Sequence, residues 1–118
     1  MTGRHKEETK DIAINDEILA VKDSILKSVS AERIYLFGSY AYGVPHADSD
    51  YDFYVVLPDD SKLKPLEAMQ KIERDFSGEI RKPVDFLANY KTRFKERSVF
   101  PTLERKIVRE GILLYGPN

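Results

Sequence analysis

Two carboxylates, Asp50 and Asp52, stand at the front of an apolar run, Tyr51 to Pro58, that reads "YDFYVVLP". The aromatic and β-branched residues predict a strand of a sheet core, closed by Pro58 and the turn residues Asp59 and Asp60. Residues two apart on a strand share a face, so Asp50 and Asp52 project together while Tyr51 and Phe53 face the other way. Like charges held that close raise each other's proton affinity unless a cation neutralises them. A hard divalent cation such as Mg²⁺ suits the need, because it takes carboxylate oxygens together with water and phosphate oxygens. Alone, an Asp-x-Asp pair fits a solvated strand entrance equally well.

Two further stretches narrow the choice. "VDFL" puts Asp85 between Val84 and Phe86, so the carboxylate faces one side of a strand and the apolar pair the other. If that strand lies beside the Asp50 strand, three carboxylates converge. Metal ions bridged by such a group can clamp the attacking and leaving oxygens of a phosphoryl displacement, and one carboxylate can accept the proton of an attacking hydroxyl. Upstream, "RIYLFGS" is a buried strand ending in Gly38, which lets backbone approach a ligand closely. Ser39 adds a hydroxyl for a phosphate oxygen. An ordinary strand-ending turn would read the same way.

The rest of the chain supplies a scaffold. Ile14, Ile18, Val21, Ile25 and Val29 form one helical stripe, with Asn15 or Asp16 as its cap. "KPLEAMQKIERDF" predicts a second helix, with Leu66, Met69, Ile72 and Phe76 at helical spacing and Ser77-Gly78 ending it. Lys82 to Tyr90 predicts a third strand. "SVFPTLERKIVREG" predicts a last helix with Leu103, Ile107 and Val108 inward and Gly111 as its stop, and "ILLYG" a final short strand. The expected architecture is α/β (α+β): a small mixed sheet flanked by helices. We expect residues 1–11 to be a disordered tail and 12–118 a single domain.

Composition excludes several classes. The 118 residues carry a net charge of −1, which implies no broad basic surface for a long nucleic acid. Cysteine is absent, so disulfides and thiolate zinc sites are excluded. The opening "MTGRHKEETKD" lacks an apolar signal core, and no run approaches the ~18 apolar residues of a membrane span. A soluble cytoplasmic protein with no membrane association is expected.

Gly38-Ser39, ten residues, Asp50-x-Asp52 and the later apolar-Asp85-apolar strand together resemble the nucleotidyltransferase superfamily that includes DNA polymerase beta. The resemblance is nearest to its minimal single-domain members and extends over roughly residues 14 to 116. It implies the polymerase beta-like nucleotidyltransferase fold and Mg²⁺-dependent transfer of AMP from ATP to an acceptor hydroxyl. Gly38 and Ser39 would hold the nucleotide, Asp50, Asp52 and Asp85 would bind metal, and Asp85 would be the general base. Minimal members commonly pair with a small helical HEPN-class toxin, modifying a tyrosine on it and acting as its antitoxin. A small-molecule acceptor, as in antibiotic nucleotidyltransferases, is the alternative, and a non-catalytic nucleotide- or partner-binding module the third reading.

The stretch "GSYAYG" departs from the common Gly-Ser-x-Ala-Arg-Gly, with Tyr42 where Arg is usual. Arg81, Lys82, Lys91 and Arg93 are candidate replacements for its charge. His46 and Asp48 precede the carboxylates, and Tyr40, Tyr42 and Tyr54 are candidates to stack on a base.

Overall fold

The computed structural model describes residues 14–43, 50–76, 80 and 82–117. The expected tail, the Ser77-Gly78 stop, and Arg81, His46 and Asp48 lie outside them. Among the described residues nine elements follow one another: α1 (Asp16–Ser28), β1 (Arg33–Phe37), α2 (Ser39–Tyr42), β2 (Tyr51–Leu57), α3 (Pro65–Asp75), β3 (Val84–Tyr90), α4 (Lys91–Ser98), α5 (Leu103–Glu110) and β4 (Ile112–Tyr115). The four strands form one sheet in the order β3-β2-β1-β4. β1 runs antiparallel to β2 and β4, and β2 parallel to β3, so the sheet is mixed as expected.

Strand alternation divides the core in two. Ile34, Leu36, Tyr51, Phe53, Val55, Leu57 and Phe86 face α1 and α3, where Ile18, Val21, Ile25, Ala68 and Ile72 complete one cluster. Tyr35, Phe37, Tyr54 and Val56 face the other way, against Phe94 of α4 and Ile107 of α5. β2 is therefore covered on both sides, which is why it reads as a continuous apolar run rather than an alternating one. Each fully buried side chain such as Phe53 or Ile18 stabilises the fold by about 1.5–3 kcal/mol through the hydrophobic effect.

Asn15, rather than Asp16, caps α1, its Oδ1 accepting from the Ile18 amide at 2.9 Å. Its Nδ2 donates to the Tyr51 hydroxyl at 3.1 Å, and that hydroxyl donates to Glu17 Oε1 at 2.8 Å. The start of β2 is thus tied to the start of α1.

The last third of the chain differs from expectation. A single helix does not cross residues 98–111. Lys91–Ser98 forms a helix of its own, and α5 begins only at Leu103, capped by Thr102. Pro101 lies between them. A proline within a helix removes an amide donor and clashes with the preceding turn, so the chain breaks there. α4 carries little periodicity because one residue anchors it: Phe94 stacks on Tyr35 at 5.6 Å and meets Tyr54 edge-on at 5.0 Å. Of the residues expected inward on α5, only Ile107 is buried; Leu103 and Val108 are exposed, and Glu104 is buried instead. Leu66 is likewise exposed, and Ala68 takes its place beside Ile72. Among the described residues no helix is long and apolar enough to cross a membrane.

Candidate active site

The register of the sheet brings the carboxylates together. Asp52 and Asp85 are direct partners in the parallel β2–β3 ladder, and Phe37 is the partner of Asp52 across β1. The three strands therefore meet at one end with Asp52 between the tip of β1 and Asp85. Because Tyr51 and Phe53 are locked into the α1/α3 cluster, Asp52 points to the opposite face, as does Asp85 beside the buried Phe86. Asp50 precedes β2 by one residue and is half-buried; Asp85 is exposed.

Asp52 bears the strain of this arrangement. Burial, then the charges of Asp85 and Asp50, push its carboxyl up from 3.8 to about 6. A carboxyl held up by burial and by its neighbours' charge is one whose ionised form a bound cation would stabilise. The oxygens are hard donors at the head of a rigid strand, so the site fits a divalent cation such as Mg²⁺. Among the described residues no three acidic, His or Cys side chains stand close enough to make a complete ligand set. Mg²⁺ does not require one, since it keeps several waters and takes substrate phosphates.

Gly38 adjoins this pair. Its φ of 77° and ψ of −159° belong to a region that is essentially confined to glycine. A Cβ there would lie 3.1 Å from Asp52 Cγ and closer still to Oδ2. Two separate constraints thus require glycine, one conformational and one steric. The Gly38 carbonyl accepts from the amides of Ala41 (3.0 Å) and Tyr42 (2.9 Å), closing the single turn that Ser39 opens. Ser39 is half-buried at the head of that turn.

The aromatic candidates separate by environment. Tyr40 is buried against Tyr51 at 4.7 Å, and Tyr54 is buried with its hydroxyl donating to Glu104 Oε2 at 2.8 Å. Both are used in packing. Tyr42 is only partly buried, yet its hydroxyl is enclosed without a well-formed hydrogen bond. Burial pushes it up to about 12, the Gly38 backbone opposes this, and the charges of Glu110 and Asp52 add to it. Among the candidate cations, Lys82 lies 5.8 Å from the Tyr40 ring centroid. Lys91 and Arg93 follow the far end of β3, a strand length from Asp85, and Lys91 sits 3.9 Å from Glu32. They are not site residues.

Sequence reasoning missed Lys106, whose Nζ lies 4.6 Å from the Tyr42 ring centroid. No spacing rule connects positions 42 and 106; only the return of the chain through β4 does. A cleft of about 410 Å³ lined by Ala20, Asp23, Ser24, Lys27, Asp75 and Phe76 lies on the α1/α3 side, on the opposite face from Asp52.

Comparison with known proteins gives the family and the fold. The family described as "Polymerase beta, Nucleotidyltransferase" matches residues 20–118. No curated protein matches. Among solved structures, a Sulfolobus solfataricus protein provisionally classed as a nucleotidyltransferase is similar, with 20% identity over 92% of this chain and 85% of that one, and a TM-score of 0.55. A chain from the crystal structure of a toxin–antitoxin with AMP-PNP is similar at 23% identity, covering 83% of this chain and 72% of that one, with a TM-score of 0.59. The fold is shared with both, and the chain belongs to the polymerase beta nucleotidyltransferase family.

Proposed function

We propose that residues 12–118 act as a single-domain, Mg²⁺-dependent nucleotidyltransferase that moves AMP from ATP to an acceptor hydroxyl. The observation that carries this reading is the facing pair Asp52 and Asp85, with the Gly38 backbone pressed against Asp52. Asp50, Asp52 and Asp85 are the proposed metal ligands, and Gly38 with Ser39 the nucleotide-binding turn. Bound Mg²⁺ would neutralise the carboxylates and polarise the phosphate oxygens.

The protein's own groups do the rest. Gly38 leaves room for the triphosphate to come close to backbone, and the Ser39 hydroxyl donates to a phosphate oxygen. Asp85, the exposed member of the pair, accepts the proton of the attacking hydroxyl. The acceptor oxygen forms its bond to the α-phosphorus, the bond from that phosphorus to the bridging oxygen breaks, and pyrophosphate leaves.

The acceptor we propose is a tyrosine hydroxyl on a small helical partner toxin of the HEPN class, which makes this protein an antitoxin acting in the cytoplasm. Similarity to a chain from a toxin–antitoxin structure with AMP-PNP supports this choice over a small-molecule acceptor. The test is transfer of label from α-phosphate-labelled ATP with Mg²⁺, offering the product of the adjacent gene as acceptor. We expect label on a tyrosine of that protein, abolished by Asp50→Ala/Asp52→Ala. Absence of label while the wild-type protein still binds its partner would overturn the transferase reading in favour of inhibition by contact.

A further inference from the structure

The carboxylate site concentrates negative charge, and a nucleotide triphosphate brings more. Mg²⁺ offsets part of that charge, but the outer phosphates need a cation of the protein's own. The topology points to where one stands. β4 pairs antiparallel with β1, with Ile112 opposite Leu36, so the turn from α5 into β4 lies at the same sheet end as Phe37, Gly38 and Asp52. The last turn of α5 is thereby carried to the rim of the site, on the sheet face to which Asp52 points.

Tyr42 joins the two. It closes the turn that begins at Gly38 and packs on the sheet face shared with Phe37 and Ile107. Its hydroxyl lies within range of both the Asp52 and the Glu110 charges. Lys106 extends from α5 over the other part of the residue, its ammonium 4.6 Å from the ring centroid. An aromatic face holds an ammonium by electrostatic attraction without neutralising it. The ring therefore positions the lysine without taking up its three donors. It is exposed, and with Arg105 and Arg109 it lines a shallow basic cleft of about 350 Å³ on α5.

We propose that Lys106, laid over the ring of Tyr42 at the rim of the carboxylate pair, is the cation that receives the triphosphate of a nucleotide bound at Asp52 and Asp85. This rests on the nucleotidyltransferase reading above. Tyr42 is the positioning residue, and Lys106 contacts the ligand directly. The chemistry assigns Lys106 to the β- and γ-phosphates, so it discriminates a triphosphate from a monophosphate.

Calorimetric titration of the full chain with ATP and with AMP, each in the presence of Mg²⁺, tests this. Lys106→Met is expected to weaken ATP about 10- to 100-fold, the usual worth of a charge-assisted contact, and to leave AMP unchanged. Lys106→Arg should restore most of the ATP affinity, and Tyr42→Leu should show the same selective loss at smaller size. ATP binding unaffected by Lys106→Met would overturn the assignment. Equal weakening of ATP and AMP would overturn it too, since it would mean that the lysine acts through the fold. If the wild-type protein bound neither nucleotide, the nucleotidyltransferase reading itself would fall, a result distinct from the other two.

Discussion

The Cα of Gly38 is packed against the carboxylate of Asp52, and the space a methyl group would need at Gly38 is the space Asp52 occupies. The turn that opens at Ser39 and the head of β2 are therefore built as one unit. Gly38→Ala must both leave its backbone region and displace Asp52. We expect a stability loss of about 1–3 kcal/mol from the backbone alone. We further expect loss of Mg²⁺-ATP binding out of proportion to it, because the displaced carboxylate is a proposed ligand. Urea denaturation beside calorimetric titration checks this; a variant that keeps wild-type affinity would show that Asp52 need not stay where it is.

Asp52 and Asp85 face each other at the same register position, with Asp50 adding a third charge nearby. Asp52→Asn removes the partly buried charge that its two neighbours oppose, while preserving shape. The variant should be more stable than the wild type by roughly 1 kcal/mol in the absence of divalent cation, since it removes a charge disfavoured by burial and by its like-charged neighbours. It should also lose the rise in melting temperature expected of the wild type on adding Mg²⁺. A thermal melt of both proteins, with and without Mg²⁺, reads the two effects together. A wild type indifferent to Mg²⁺ would count against the metal site.

How much of this was legible in the sequence follows from which interactions are local. The Asp50/Asp52 pair and the Val84-Asp85-Phe86 alternation depend on a period of two, which the sequence displays, so the facing of side chains was readable. Adjacency of β2 and β3 was a condition that only pairing could satisfy, and the register that sets Asp52 opposite Asp85 satisfies it. Helix α4 was missed because a single phenylalanine anchors it, and one apolar residue makes no periodicity. The helix expected across Pro101 fails for a reason that the sequence did contain, the cost of an internal proline. Exposure of Val108 and burial of Glu104 were not readable, because they depend on Tyr54 of the distant β2, with Arg97 of the preceding helix, meeting the carboxylate. Lys106 over Tyr42 is hidden for the same reason.

Glu104 gives a prediction in pH. It is 5% exposed, accepts from the Tyr54 hydroxyl at 2.8 Å, and stands 3.0 Å from Arg97 Nε, a close ion pair without the alignment of a good hydrogen bond. Burial raises its proton affinity, but the Tyr54 hydroxyl, its own backbone amide and Arg97 outweigh this and hold the carboxyl below the usual 4.5. A depressed carboxyl stabilises the fold above its unfolded value, and that stability is lost as pH falls through the lower folded value. Glu104→Gln should cost about 1–3 kcal/mol near neutral pH, and the gap from wild type should narrow below pH of about 4. Urea midpoints across that range decide it. A gap constant with pH would mean that the ionised form contributes nothing.

Asn15 supplies the last test, because one side chain does two jobs there. Its Oδ1 caps α1 at the Ile18 amide, and its Nδ2 donates to the hydroxyl of Tyr51, the residue between Asp50 and Asp52. Losing the cap alone should cost about 0.5–2 kcal/mol. If the bridge to Tyr51 adds to this, Asn15→Ala and Tyr51→Phe will not sum. The double variant should then be less destabilised than the two single effects together, by about 0.5 kcal/mol or more. Chemical denaturation of the four proteins gives that coupling directly. A sum within error would mean that the cap acts alone and that the head of β2 is held by the Tyr51 ring and its bond to Glu17, not by the helix cap.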